Sequence, residues 1–139
     1  MSDSESIQYN ILIIDHDDAE RNNMRDILTA RGYAPTMEKH AYNSEKNIAR
    51  TTPELIIIAL EMPRLDGTIL VRKLRNEEQL KETPIIMIAA AINKEQLAEL
   101  QKLNVRDFLI KPIQADKLLK AVEKYYRVKV IAELSRDDS

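Results

Sequence analysis

Asp15, His16 and Lys111 are the side chains of this chain best suited by type and position to act together. Asp15 and His16 follow the apolar run 11–14, and Lys111 follows the run 107–110, whereas two further runs, 55–58 and 85–88, end on the methyl groups of Ala59 and Ala89. A carboxylate, an imidazole and an ammonium at neighbouring run ends could share a metal ion, move a proton or form an ion pair. A metal cluster has little support, because His16 and His40 are the only histidines and cysteine is absent. A lysine without a partner in a partly buried crevice meets a desolvation penalty, which favours an ion pair between Lys111 and Asp15. His16 reads first as a hydrogen-bonded structural residue, with a chemical role as the alternative. Glu61 and Asp66 lie near the same place and could supply oxygens, but Asp66-Gly67 is a turn signal before it is a ligand signal.

The segments that position these residues are legible from hydrophobic patterning. Runs 11–14, 55–58 and 85–88 are continuous rather than alternating, as strands covered on both faces must be. A weaker strand is expected at 34–38, nearer an edge because Pro35 cannot donate to a central ladder, and a fifth at 107–110. Helices are expected at about 19–31, 42–50, 68–80, 94–103 and from 116 onward. Asp17 or Asp18 can cap the first helix and Gly32 can close it, leaving Met24, Ile27 and Leu28 to face the sheet. Asn93 and Gln96 have the spacing of a reciprocal cap for the fourth helix, whose apolar stripe is Leu97, Leu100 and Leu103. Strict alternation with right-handed crossovers predicts an α/β fold, an open doubly wound parallel sheet of five strands. In such a sheet the carboxyl ends of neighbouring strands converge on one crevice.

The chain has 139 residues, 44% of them hydrophobic, which is enough for one packed domain. A net charge of -2 with mixed signs gives no long-range field toward nucleic acid or an anionic membrane. The polar, acidic start Met1-Ser2-Asp3-Ser4-Glu5-Ser6 has neither the basic nor the apolar part of a secretory signal, and no apolar stretch reaches membrane-spanning length. A cytoplasmic protein that binds neither nucleic acid nor membrane is expected.

Four blocks in order then carry a resemblance to the receiver domains of bacterial response regulators over roughly residues 11–126. They are Ile11-Leu12-Ile13-Ile14-Asp15-His16-Asp17, the stretch from Pro53 through Ala59-Leu60-Glu61-Met62-Pro63 to Asp66-Gly67, Pro84 to Ala90, and Asp107-Phe108-Leu109-Ile110-Lys111-Pro112. The resemblance implies a flavodoxin-like (βα)5 fold with strand order 2-1-3-4-5, and a pocket that accepts a phosphoryl group on an aspartate with Mg²⁺ bound nearby. It also sets out what this chain lacks. Ala59 stands where the family has its nucleophile, His16 where it has the second residue of the acidic pair, and Ala89 where it has a Ser or Thr. Lys111 alone keeps the family identity among the side chains that contact the phosphoryl group. Imidazole is a poor ligand for a hard cation, so Mg²⁺ binding is expected to be weak or lost and no cofactor is expected. The degenerate pocket is therefore Asp15, His16, Ala59, Ala89 and Lys111, with no catalytic residue and no metal. Phe108 takes the position of a switch aromatic, although ordinary packing is the simpler reading.

With transfer chemistry removed, surface is the remaining asset. The resemblance points to the face of the fourth helix, fifth strand and fifth helix as the site for other signalling proteins, here including Lys94 and the basic stripe Lys117, Lys120, Lys124 and Arg127. The expected organisation is a polar segment 1–9, a receiver-like domain 10–126, and a helical extension with a polar tail at 127–139. Val128, Ile131 and Leu134 share a side if that extension is helical, which predicts self-association or a linker, whereas Val128 and Val130 would alternate in a strand. The expected function is a non-enzymatic, phosphorylation-independent interaction module in bacterial signalling. Phosphorylation at a non-standard residue, a small ligand in the altered crevice, and an aspartate replaced in the laboratory remain the alternatives.

Overall fold

A computed structural model describes residues 7–40 and 45–137. In chain order the elements are β1 (Ile11–Ile14), α1 (Asp18–Ala30), β2 (Thr36–Glu38), α2 (Glu45–Thr51), β3 (Leu55–Ala59), α3 (Gly67–Arg75), a 3-10 turn (Glu78–Leu80), β4 (Ile85–Ala89), α4 (Lys94–Lys102), β5 (Asp107–Ile110) and α5 (Ala115–Asp137). All strands are parallel, in the order β2-β1-β3-β4-β5. This is the doubly wound sheet that the alternating pattern predicts, in the flavodoxin-like order that the resemblance implies.

The three central strands are fully buried, which is why their sequences do not alternate. Their side chains alternate in space instead. Leu12, Ile14, Ile56, Ile58 and Met87 meet Ile48 of α2, Leu70, Val71 and Leu74 of α3, and Leu100 of α4 on one face. Ile11, Ile13, Leu55, Ile57, Ile86 and Ile88 meet Met24 and Leu28 of α1 and Leu118 and Val122 of α5 on the other. Each such side chain withdrawn from water contributes about 1.5–3 kcal/mol, so two apolar layers hold one sheet from both sides.

Local signals set the helix ends. Asp17 accepts hydrogen bonds from Ala19 N and Glu20 N, and Gly32 closes the turn after α1 with φ +99°. Asn93 and Gln96 form the reciprocal cap on α4. One helix differs from expectation. The segment 68–80 is not one helix: α3 ends at Arg75, whose guanidinium donates to the carbonyls of Leu80, Thr83 and Leu103. Those bonds favour a tight turn over a further helical turn. For the second helix, the expected start at Tyr42 lies outside the described residues. Past Tyr126, α5 continues unbroken, so Val128 and Val130 sit in a helix and not in a strand. Among the described residues no helix is long and apolar enough to cross a membrane.

Candidate functional site

The register of the sheet brings the sequence-selected residues to one end. Ile14 lies beside Ile58, Ala59 beside Ile88, and Ala89 beside Ile110, so Asp15, Ala59, Ala89 and Lys111 mark the carboxyl ends of four adjacent strands. The Lys111 amide extends the ladder by donating to Ala89 O at 2.8 Å. A cis peptide bond joins Lys111 to Pro112.

Asp15 has no exposed surface. Its Oδ1 accepts from the Asp17 amide at 3.0 Å, and its Oδ2 stands 3.1 Å from Lys111 Nζ. Arg21 reaches back from α1 and donates to the Asp15 carbonyl at 2.7 Å, so the corner after β1 is held through both backbone and side chain. Asp17 is itself held below the usual carboxylate range, chiefly by the Glu20 amide it accepts from. His16 departs from expectation. Its Nδ1 is buried, makes no hydrogen bond to the described residues and lies 3.9 Å from Asp15 Oδ1, too far for one.

Ala59 is completely buried and its methyl belongs to the layer under α1 and α5. Ala89 is equally enclosed, in the layer under α3 and α4. Neither side chain offers an oxygen or a nitrogen. Gly67 opens α3 directly over the end of β3: a Cβ there would stand 2.5 Å from Ala59 O and 2.9 Å from Leu60 Cα. Asp66 caps the same helix, accepting from Thr68 N at 2.6 Å, so the Asp66-Gly67 pair shapes the loop as its turn chemistry suggests.

The residue that sequence reasoning undervalued is Glu61. Both of its carboxylate oxygens accept from Ala90 N at 3.1 Å, and Oε2 also accepts from Ala91 N at 3.3 Å. It thereby ties the loop after β3 to the loop after β4. Beside it is a shallow crevice of about 380 Å³ lined by His16, Glu61, Met62, Asp66 and Gln96 among others. Nothing in the spacing of Glu61 signals this reach, because the acceptor and the amides are 29 and 30 residues apart. Among the described residues no three His, Cys, Asp or Glu converge as a metal site would need.

On the neighbouring face, Phe108 packs partly buried against the layer under α3 and α4. Lys94, Lys117, Lys120, Lys124 and Arg127 are exposed. Lys124 is engaged, holding both oxygens of Asp107 at 2.8 and 2.9 Å, and the Tyr125 hydroxyl also donates to Asp107. Burial and this carboxylate push the Tyr125 phenol up. Ile110 on β5 is exposed, as are Val128, Ile131 and Leu134 on the far part of α5.

Comparison with known proteins agrees with this architecture. The family model described as response regulator receiver domain matches residues 11–123. The chain is 29% identical over 115 residues to chemotaxis protein CheY1 of Helicobacter pylori, covering 81% of this chain and 93% of that protein. It is 26% identical over 117 residues to chemotaxis protein CheY of Bacillus subtilis, covering 84% and 96%. Among solved structures, a response regulator receiver protein from Pseudomonas putida superposes with a TM-score of 0.77 at 26% identity, covering 86% of this chain and 98% of that one. Chemotaxis protein CheY4 of Vibrio cholerae shares the fold with a TM-score of 0.78 at 23% identity, covering 86% and 99%. With four strand-end blocks in register and the family match running from β1 into α5, the chain belongs to the response-regulator receiver domains, the signalling modules of bacterial two-component systems.

Proposed function

We propose that this receiver domain works without phosphorylation, as a cytoplasmic protein-interaction module. The observation that carries this reading is the composition of the strand ends: buried methyls at Ala59 and Ala89, and one carboxylate, Asp15, already faced by Lys111. Phosphoryl transfer needs an in-line oxygen nucleophile and charge to stabilise the equatorial oxygens. A methyl has no lone pair. Receiver domains normally hold Mg²⁺ in their acidic pocket, and the donors here do not fit it. Asp15 Oδ2 is 3.1 Å from an ammonium, His16 offers nitrogen, and Ala59 offers nothing.

Receiver domains interact with other signalling proteins. For this chain the partner surface is the face of α4, β5 and α5, which carries exposed Ile110 and the exposed Lys94 and Lys117, with Lys120 and Arg127 further along α5. Exposed apolar and basic residues on one face suit a partner that offers acidic side chains. The far part of α5 supports a homodimer through Val128, Ile131 and Leu134, each about 60% exposed.

The deciding experiment is incubation of the purified protein with a small phosphodonor and Mg²⁺, followed by intact-mass measurement. An unchanged mass is the expected result. A phosphate adduct approaching one per chain overturns the reading, and peptide mapping then shows whether His16, Glu61 or another group accepts it.

A further inference from the structure

We infer that the cavity between α2 and the edge strand β2 is a binding site for a small primary ammonium compound with a short aliphatic tail. Its volume is about 330 Å³, at the small end of the range for ligand pockets. The cavity arises from the alternation of side chains along the sheet. On the face covered by α2, α3 and α4, the strands β1, β3 and β4 present apolar side chains. β2 instead sends Met37 to the opposite layer and leaves Thr36 and Glu38 on this face. With seven residues, α2 buries only Ile48 and Ala49, so a space remains between it and β2. Leu12 and Ile48, both buried, give that space its apolar lining.

The polar groups around the cavity have mostly spent their donors. Asn10 Nδ2 donates to Thr51 O at 2.9 Å and to Thr52 O at 3.1 Å. The Thr36 hydroxyl donates to Ile11 O at 3.3 Å, and the Thr51 hydroxyl to Ile48 O at 2.8 Å. A hydroxyl has one hydrogen and two lone pairs, and a side-chain amide keeps an oxygen beside its nitrogen. What these three residues have left is therefore acceptor capacity. Glu38 adds a carboxylate that makes no side-chain hydrogen bond or ion pair among the described residues. Asn47 is the one lining side chain with unspent donors. Acceptors and a single negative charge beside an apolar lining select a ligand with positive charge, several N–H donors and a hydrocarbon end. An alkylammonium, with three donors and no acceptor, meets that requirement. The wall is also preset: the two Asn10 bonds tie the end of α2 to the start of β1, where Thr52 is held at φ +47°.

No lining residue belongs to the strand-end pocket of Asp15 and Lys111, so this inference holds whether or not the domain takes up a phosphoryl group. The test is titration of n-pentylammonium chloride into the full chain at constant ionic strength, following the methyl resonances of Leu12 and Ile48. Pentan-1-ol is the uncharged control, and E38Q and T36I are the variants. Both positions are exposed on the edge strand, so the substitutions leave the apolar layers intact. Isoleucine suits a strand while filling part of the cavity. In the unaltered chain both methyls should shift saturably with the ammonium. The affinity should be at least fivefold weaker for pentan-1-ol, and at least fivefold weaker for the ammonium in E38Q, with no saturable response in T36I. The inference is overturned by the absence of saturable shifts at Leu12 and Ile48, by equal binding of the alcohol, or by unchanged binding in either variant. The comparison of ammonium with alcohol uses the unaltered chain and decides the matter even where a variant folds poorly. The mass measurement under Proposed function reads covalent uptake, so either proposal can fail without the other.

Discussion

Lys111 Nζ and Asp15 Oδ2 stand 3.1 Å apart across the ends of two strands that are not neighbours in the sheet, β5 and β1. Asp15 is fully buried and the Lys111 side chain is 15% exposed, so the pair is held largely out of water. Such a pair is costly to break from one side, because the surviving charge has no partner and little solvent. Replacing Lys111 with Met is expected to cost about 3 kcal/mol in urea unfolding. Replacing Asp15 with Asn as well should recover much of that loss. A double-mutant cycle showing additive losses counts against a coupled pair.

Restoring an aspartate at position 59 alone is expected to leave phosphate uptake poor. The methyl of Ala59 points into the layer under α1 and α5, so a carboxylate there is buried beside the equally buried Asp15. Uptake should rise only when Ala59→Asp is joined by His16→Asp and Ala89→Ser. Intact-mass measurement of the single and triple variants separates the outcomes, and full uptake by the single variant points to one lost residue in an otherwise competent pocket.

Substitution of Gly67 by Ala should be disruptive although its φ is ordinary. The added Cβ meets backbone at 2.5 and 2.9 Å, on Ala59 and Leu60, and neither can rotate away. A loss of about 1–3 kcal/mol, typical of overpacking, is expected in denaturant titration. It should be accompanied by shifts at Glu61 and Ala90, because the loop is displaced as a unit.

Acid should loosen the start of α1 before the core. Asp17 is held below its ordinary range by the amides it caps, and Asp18 by Arg21. A lowered folded-state value means that their stabilising contribution is complete above the ordinary carboxylate range and is lost as pH falls through the lower, folded value. The stability-against-pH curve should therefore fall on the acid side, and D17N, which keeps a capping oxygen without a titrating carboxyl, should flatten that limb. An identical limb in D17N sinks this assignment.

Self-association is expected to map to the far part of α5. The double variant I131E/L134E keeps the bonds that Lys129 makes to Gln8 O and Glu54, whereas a chain ending at Arg127 removes them. Light scattering should show a mass that falls toward the monomer in both, with dimer dissociation strengthened at least tenfold. A mass that is unchanged in both excludes this strip as the contact.

The central strands were legible because burial on both faces leaves an unmistakable run of apolar residues, and run 11–14 coincides with β1 to the residue, as 107–110 does with the partly buried β5. Caps were legible for a similar reason: Asp17 and Asn93 act on amides two or three residues away. The Asp15–Lys111 pair could be argued from desolvation once both were placed at strand ends. What the sequence concealed is long-range polar closure. Arg75 looks like one more exposed cation on a helix, yet it ends α3 by reaching carbonyls up to 29 residues away. The apolar spacing through Leu80 therefore suggested a longer helix than exists. Glu61 was concealed by the same physics, since its partners are main-chain amides whose identity no side chain advertises. The inner nitrogen of His16 stays unpaired because the nearer oxygen of its neighbour's carboxylate accepts from the Asp17 amide and the other faces Lys111.

The unbroken α5 has one further consequence. At 1.5 Å per residue, the 23 residues from Ala115 to Asp137 form a rod of about 35 Å, rooted by Leu118 and Val122 beneath the sheet. Its distal turns stand clear of the domain, so a molecule gripping Leu134 holds a lever whose fulcrum is the apolar layer itself. Between that tip and the layer the helix is unbroken, so the rod contains no built-in hinge.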